Sequence, residues 1–215
     1  GGLLLLCLMP GFIPNEVLIP VHGIVQFASN VSRAVFSPES ISWKPIRYFL
    51  FGALLSVPIG VALLGLFRFD LLPLFLGIFI LLATWIKLPA WTDSPQAFFP
   101  LGFVATGLSL FVGATGPLTA PFVQKLPNIS RDGIVATSAV LMTVVHLLKL
   151  LTFGLAGVAL LSQLPLAGCM IVSATCGSLV GTKLRGKLPE KNFRILFRLL
   201  VTFLALRMLV LYFLN

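Results

Sequence analysis

The stretch FVGATGPLTAPF, Phe111 to Phe122, is apolar enough for a membrane interior, yet it carries two glycines, two prolines and two threonines. Proline has no N–H and clashes with the preceding turn, and glycine weakens a helix, so this stretch does not encode an uninterrupted spanning helix. A broken helix frees backbone N–H groups, which a bilayer tolerates only where protein or a polar cavity satisfies them. The break therefore marks either a site for an anion or a kink that helps close packing.

The surrounding chain is that of a membrane protein. Of its 215 residues 58% are hydrophobic and 10% charged, and the mean hydropathy of +1.07 excludes an ordinary soluble domain. Apolar runs long enough to span, about 20 residues each, fall at 17 to 36, 46 to 66, 70 to 88, 99 to 122, 133 to 161, 164 to 184 and 191 to 214, with an apolar stub over 1 to 9. The expectation is an all-α polytopic membrane protein with seven full spans. No cleavable signal peptide is expected, because Gly1 opens the chain and no charged leader precedes the first apolar stretch. Cys7, Cys169 and Cys176 lack paired metal spacing and read as small core residues, so no metal or cofactor is expected. The net charge of +9 lies mostly between apolar runs, which speaks for membrane topology and against nucleic acid. Alternating the runs puts Arg68, Lys125, Arg131, Lys183, Arg185, Lys187, Lys191 and Arg194 on one side and Lys44, Arg47 and Lys87 on the other. The first side is expected to be cytoplasmic and the C-terminus extracytoplasmic.

The chain also repeats itself. Pro-Asn occurs at 14–15 and again at 127–128, and Glu16, His22, Asn30 and Arg33 fall 116 positions before Asp132, Ser138, His146 and Lys149. Gly52, Ser56, Gly60 and Gly65 fall 121 positions before Ser173, Gly177, Gly181 and Gly186. The first three of each set, spaced by four, are expected to be helix-packing faces. The proline-rich stretch Lys87 to Pro100 divides the halves, giving a first transmembrane repeat over 1–97 and a second over 98–215. The second half places a helix before its GATGP, whereas Gly1-Gly2 would match the end of that motif. The first repeat is therefore expected to lack its opening helix, and eight segments are expected in the intact protein. Four segments per repeat make the repeats parallel by simple counting. A GATGP segment that dips in and returns on the same side makes them inverted.

Within the run 17 to 36, His22, Gln26, Asn30 and Arg33 step by four, four and three and share one helical face. Ser138, His146 and Lys149 form the equivalent stripe, with Thr143 on a neighbouring row. A charge at the bilayer centre costs about 2.5–3.5 kcal/mol on insertion scales and needs a partner or a watery cavity. The plain alternatives are an Arg33 that snorkels from a helix end and a structural, hydrogen-bonded His146. Glu16 and Asp132 open their helices, where they act as caps and leave no carboxylate at mid-span. Cations and histidines without carboxylates attract an anion. Trp43, Trp85 and Trp91 read as interface anchors and Arg207 as a snorkelling residue.

GATGP followed by ATSAVLMTVVHLLKLLTFG (Ala136 to Gly154) and GTKLRGKLPEKNFRILFRLL (Gly181 to Leu200) resembles the sulfite exporter TauE/SafE family, also called TSUP. The opening GGLLL is similar to the tail of the Gly-rich motif in that family's first helix. The resemblance covers essentially the whole chain and implies a bacterial inner-membrane, multi-pass carrier of small sulfur-containing or organic anions such as sulfite, sulfonates or sulfoacetate, usually for export. The resulting expectation is a secondary transporter that works by alternating access between the two repeats. The alternatives are an anion channel or a non-transporting assembly factor. An enzyme is not expected, since HExxH, GxSxG and Cys/His clusters are missing from the sequence. The substrate is expected at Gly1, Gly2, Asn30, Arg33, Gly113, Thr115, Gly116, Pro117, His146 and Lys149. The expected partners are the anion, protons coupled through His146, and the lipid bilayer, with no nucleic acid.

Overall fold

The computed structural model describes residues 2–35, 38–86, 92–184 and 190–214, without the side chains of 178–184, 190–194 and 211. Gly1, Lys87, Trp91, Arg185, Gly186 and Lys187, all named by the sequence reading, lie outside the described residues.

The apolar runs become α1 (Gly2–Leu8), α2 (Asn15–Val35), α3 (Trp43–Leu64), α4 (Leu72–Trp85), α5 (Phe98–Val112), α6 (Gly116–Gln124), α7 (Arg131–Leu155), α8 (Leu164–Leu184) and α9 (Glu190–Leu214). No strand occurs among the described residues. Four segments are long and apolar enough to cross a bilayer unaided: α3, α5 with its leading turn (Pro95–Val112), α7 and Ile195–Leu214 of α9. Leu54, Leu55 and Ile59 on α3 and Phe203 and Val210 on α9 are exposed, which suits a lipid-facing surface. The chain is an all-α, multi-pass membrane protein.

The run 99 to 122, read as one span, is instead two helices that double back. Helix α5 ends at Gly113, whose φ of +71° is readily adopted only by glycine. Helix α6 then returns toward the start of α5, so that Phe98 and Phe122 lie with ring centroids 6.1 Å apart. Helix α7 consequently begins where α3 begins: Ser42 N–H donates to Thr137 Oγ1 at 3.0 Å. Its N-cap Ser130 accepts from Gly133 N–H at 2.9 Å, a role the sequence reading gave to Asp132, which sits in the same first turn.

This reversal makes α2 and α7 antiparallel, with His22 beside His146 and Gly23 beside Leu150, while Asn30 and Ser138 line the same cavity nearer the other end. It also corrects the sorting of loop charges. Lys125 and Arg131, at the end of α6 and the start of α7, share a face with Lys44 and Arg47 at the start of α3, and Arg68 lies at the opposite face beyond the end of α3.

Helices α3 and α5 pack backbone to backbone. A Cβ on Gly52 would stand 1.8 Å from Phe99 O, and one on Gly102 would stand 2.1 Å from Phe49 O. A Cβ on Gly60 would meet Leu110 Cδ1 at 2.5 Å, so the stripe 52–56–60 is a packing face as expected. The second stripe departs from the expectation: Ser173 and Gly177 on α8 are exposed, and nothing lies within 4 Å of a Cβ on Gly177 among the described residues. Of the cysteines, Cys7 is buried in the core, whereas Cys169 and Cys176 are exposed on α8. Trp43 and Trp85 are exposed as anchors should be, and the indole of Trp85 donates to Thr202 Oγ1 at 3.0 Å.

Candidate functional site

Where α6 begins, it meets α2 and α7 around a cavity of about 290 Å³. The polar face of α2 supplies His22, Gln26, Asn30 and Arg33; the N-cap and first turn of α6 supply Thr115, Gly116 and Pro117; α7 supplies Ser138 and His146. Among the described residues no Asp or Glu lines it.

The wall is ordered from the mouth inward. Arg33 is exposed, and its Nη2 donates to Asn30 Oδ1 at 2.6 Å. Asn30 is buried and donates through Nδ2 to Gln26 O at 2.7 Å, which sets its amide with the oxygen toward the arginine. Deeper, His22 Nε2–H donates to Gly2 O at 3.1 Å. The His22 and His146 rings meet edge to face with centroids 5.8 Å apart.

The turn between α5 and α6 leaves donors over. Ala114 N–H donates to Val112 O, and the N–H groups of Leu118 and Thr119 donate to Thr115 O. The N–H groups of Thr115 and Gly116 find no backbone acceptor among the described residues, and both residues line the cavity. The positive end of the α6 dipole points the same way.

Four buried side-chain polar atoms have no hydrogen-bond partner among the described residues: His22 Nδ1, His146 Nδ1, Thr115 Oγ1 and Thr106 Oγ1. The first three belong to residues that line this cavity. A buried polar group left unpaired costs about 1–3 kcal/mol, so three around one space make this cavity the candidate binding site.

Of the residues picked from sequence, Gly2, Asn30, Arg33, Thr115, Gly116, Pro117 and His146 line the cavity. Gly2 contributes a carbonyl acceptor to His22, whereas the sequence reading paired it with GATGP as a broken-helix site for the anion. Lys149 does not line it. Fully buried, Lys149 turns its Nζ onto Gly113 O at 2.6 Å and ties down the end of α5; Gly113 is thereby part of the scaffold behind the wall. The set picked from sequence omits His22, Gln26 and Ser138, although the four-four-three spacing carries the first two.

A second groove of about 770 Å³ opens at the opposite face, between the loop Pro10–Asn15, Asp70, Pro73, Met208 and Tyr212. Asp70 pairs there with Arg68 at 2.7 Å, both exposed, and the arginine's hydrogen bond holds the carboxyl below its usual range. Between the two spaces, the Leu6 and Ile19 side chains close on Gly113, where a Cβ would stand 2.8 Å from Leu6 Cδ1 and 3.0 Å from Ile19 Cδ1.

A re-entrant helix pair around a cavity that Arg33 lines, and that no carboxylate lines among the described residues, within a multi-pass bundle is an arrangement that suits a membrane transport protein. The family model described as TauE, sulfite exporter TauE/SafE, matches residues 1–208, and the chain belongs to that family. The family is one of exporter-type transporters of sulfite and related anions, not of enzymes. No curated protein and no solved structure matches the chain.

Proposed function

We propose that the protein is a secondary transporter that exports a small sulfur-containing oxyanion, sulfite or a short sulfonate, from the cavity between α2, α6 and α7. The observation that carries this reading is the set of unpaired polar atoms on His22, His146 and Thr115 around one space that Arg33 enters and, among the described residues, no carboxylate lines. A sulfur oxyanion presents several acceptor oxygens to the N–H groups of Thr115 and Gly116 and the Thr115 hydroxyl, with Arg33 and Asn30 at the mouth to draw it in.

The regrouped charges support a direction. Lys44, Arg47, Lys125 and Arg131 share the face at which the cavity opens, and the positive-inside rule makes that face cytoplasmic. The cavity then stands open to the cytoplasm of a bacterial inner membrane, as an exporter awaiting substrate would. The C-terminal end of α9 lies at the extracytoplasmic face.

The antiparallel course of α2 and α7 supports an inverted relation between the repeats 1–97 and 98–215. Alternating access would part the Leu6–Gly113–Ile19 contact toward the outer groove while the cytoplasmic mouth closes. The test is flux of labelled sulfite and methanesulfonate in proteoliposomes of the full-length protein. Saturable flux with counterflow is expected. Flux without counterflow points to a channel, and none for either anion removes the reading.

A further inference from the structure

We infer that the cavity binds its anion together with one proton, held between His22 Nδ1 and an oxygen of the anion. The inference rests on the anion-binding reading above. It starts from the Gly2 carbonyl. A carbonyl oxygen can only accept, so the 3.1 Å contact fixes the hydrogen of His22 on Nε2. The neutral ring then offers a bare lone pair at Nδ1, and this atom is buried without a partner in the cavity wall. An anion's oxygen also offers only lone pairs. Two acceptors face each other favourably only with a proton between them, so His22 is not a donor that serves an anion by itself.

The charges around His22 make the proton and the anion interdependent. Helix α7 brings His146 and Lys149, and α2 brings Arg33 three turns on. Helix α1 brings Cys7, and α8, packed on α2, brings the exposed Cys169 and Cys176. Helices α5 and α6 bring no titratable group. Among the described residues no carboxylate lines the cavity to offset an added positive charge. A proton arriving in the empty cavity adds charge to a region flanked by Lys149 and Arg33, whereas an anion supplies the opposite sign. Each therefore raises the affinity of the other by the same factor. Gly2 is the positioning group, because its carbonyl keeps Nδ1 free to take the proton.

The proton can arrive on the protein or on the ligand, and two probes separate these sources. Methanesulfonate stays fully ionised at neutral pH, while sulfite can bring its own proton as hydrogen sulfite. Binding to the full-length protein in detergent is measured by calorimetry in two buffers of different ionisation enthalpy, from mildly acid to mildly alkaline pH. Methanesulfonate binding is expected to take up close to one proton, and its affinity to fall up to tenfold per pH unit as pH rises. Binding of sulfite alone, in proportion to hydrogen sulfite, would assign the same proton to the ligand. Methanesulfonate binding with no proton uptake and no pH dependence overturns the inference.

Two variants assign the proton. His146→Gln, in the binding wall, is expected to weaken anion binding but to keep one proton taken up per anion bound, and His22→Gln to lose that uptake. Uptake that survives in His22→Gln, or vanishes only in His146→Gln, overturns the assignment. Should His22→Gln fail to fold, the wild-type uptake and its persistence in His146→Gln still decide the matter. Binding of neither anion by the wild type would instead remove the transport reading on which the inference stands.

Discussion

Replacing Lys149 by Met keeps most of the side chain's length and removes its ammonium. In the structure that ammonium is fully buried and donates to Gly113 O at 2.6 Å, where α5 ends and the turn to α6 begins. A hydrogen bond from a charged donor contributes about 1.5–3 kcal/mol. At 1.4 kcal/mol per factor of ten, its loss lowers the equilibrium constant for the ordered turn about 10- to 100-fold, and sulfite flux should fall by up to that factor. Stability should not follow, because a buried ammonium held by one carbonyl carries a desolvation cost that Met does not. The assay is the initial rate of labelled sulfite uptake into proteoliposomes at equal protein, beside a melting curve in detergent. The expected pattern is a large loss of flux with a melting temperature unchanged or raised. Wild-type flux in Lys149→Met refutes the reasoning, as does a melting temperature so lowered that unfolding accounts for the loss.

Gly52→Val forces a side chain into Phe99 O, 1.8 Å from its Cβ, and should destabilise by about 3 kcal/mol or more; Gly107→Ala, with Ser56 Cβ at 3.8 Å its nearest neighbour, should change the melting temperature little. Arg33→Gln at the exposed mouth should raise KM for the anion about fivefold, an effect of about 1 kcal/mol that shrinks as salt is added. Thr115→Val removes an unpaired buried hydroxyl, so the empty protein should gain about 1 kcal/mol in thermal stability while anion affinity measured by calorimetry falls several-fold.

The break at GATGP, the polar stripe of α2 and the gathering of Thr115, Gly116, Asn30, Arg33 and His146 could all be read from sequence, because each follows from helical spacing or backbone chemistry. The return of α6 is only one of two courses that the sequence leaves open. Hydropathy reports how apolar a segment is and carries no sign of its direction. The direction rests on the positive φ of Gly113 and on a contact between Phe98 and Phe122. From that one reversal follow the regrouping of Lys125 and Arg131 and the antiparallel course of α2 and α7. Lys149 shares a helical face with His146, yet its long stem carries the ammonium past the cavity to Gly113, a reach that residue spacing does not encode. Cys169 and Cys176 lie outside the core for a related reason: a membrane-spanning helix can be apolar all round, so an apolar neighbourhood in sequence does not distinguish core from surface.

The re-entrant pair creates an electrostatic difficulty that Lys149 resolves. Two helix ends of opposite sign meet at Gly113 to Gly116, the C-terminus of α5 with its free carbonyls and the N-terminus of α6 with its free N–H groups. Left alone, the two poles would largely cancel, and an anion approaching Thr115 would meet carbonyl oxygens as well as donors. The ammonium of Lys149 takes up Gly113 O from behind the wall, and Gly113 N–H continues the α5 ladder by donating to Ser109 O at 3.0 Å. The negative pole is thus masked on the side away from the cavity, while Thr115 and Gly116 keep the positive pole facing it. A cation outside the binding space can in this way favour anions within it without touching one, which is why Lys149→Met is expected to affect transport more than folding.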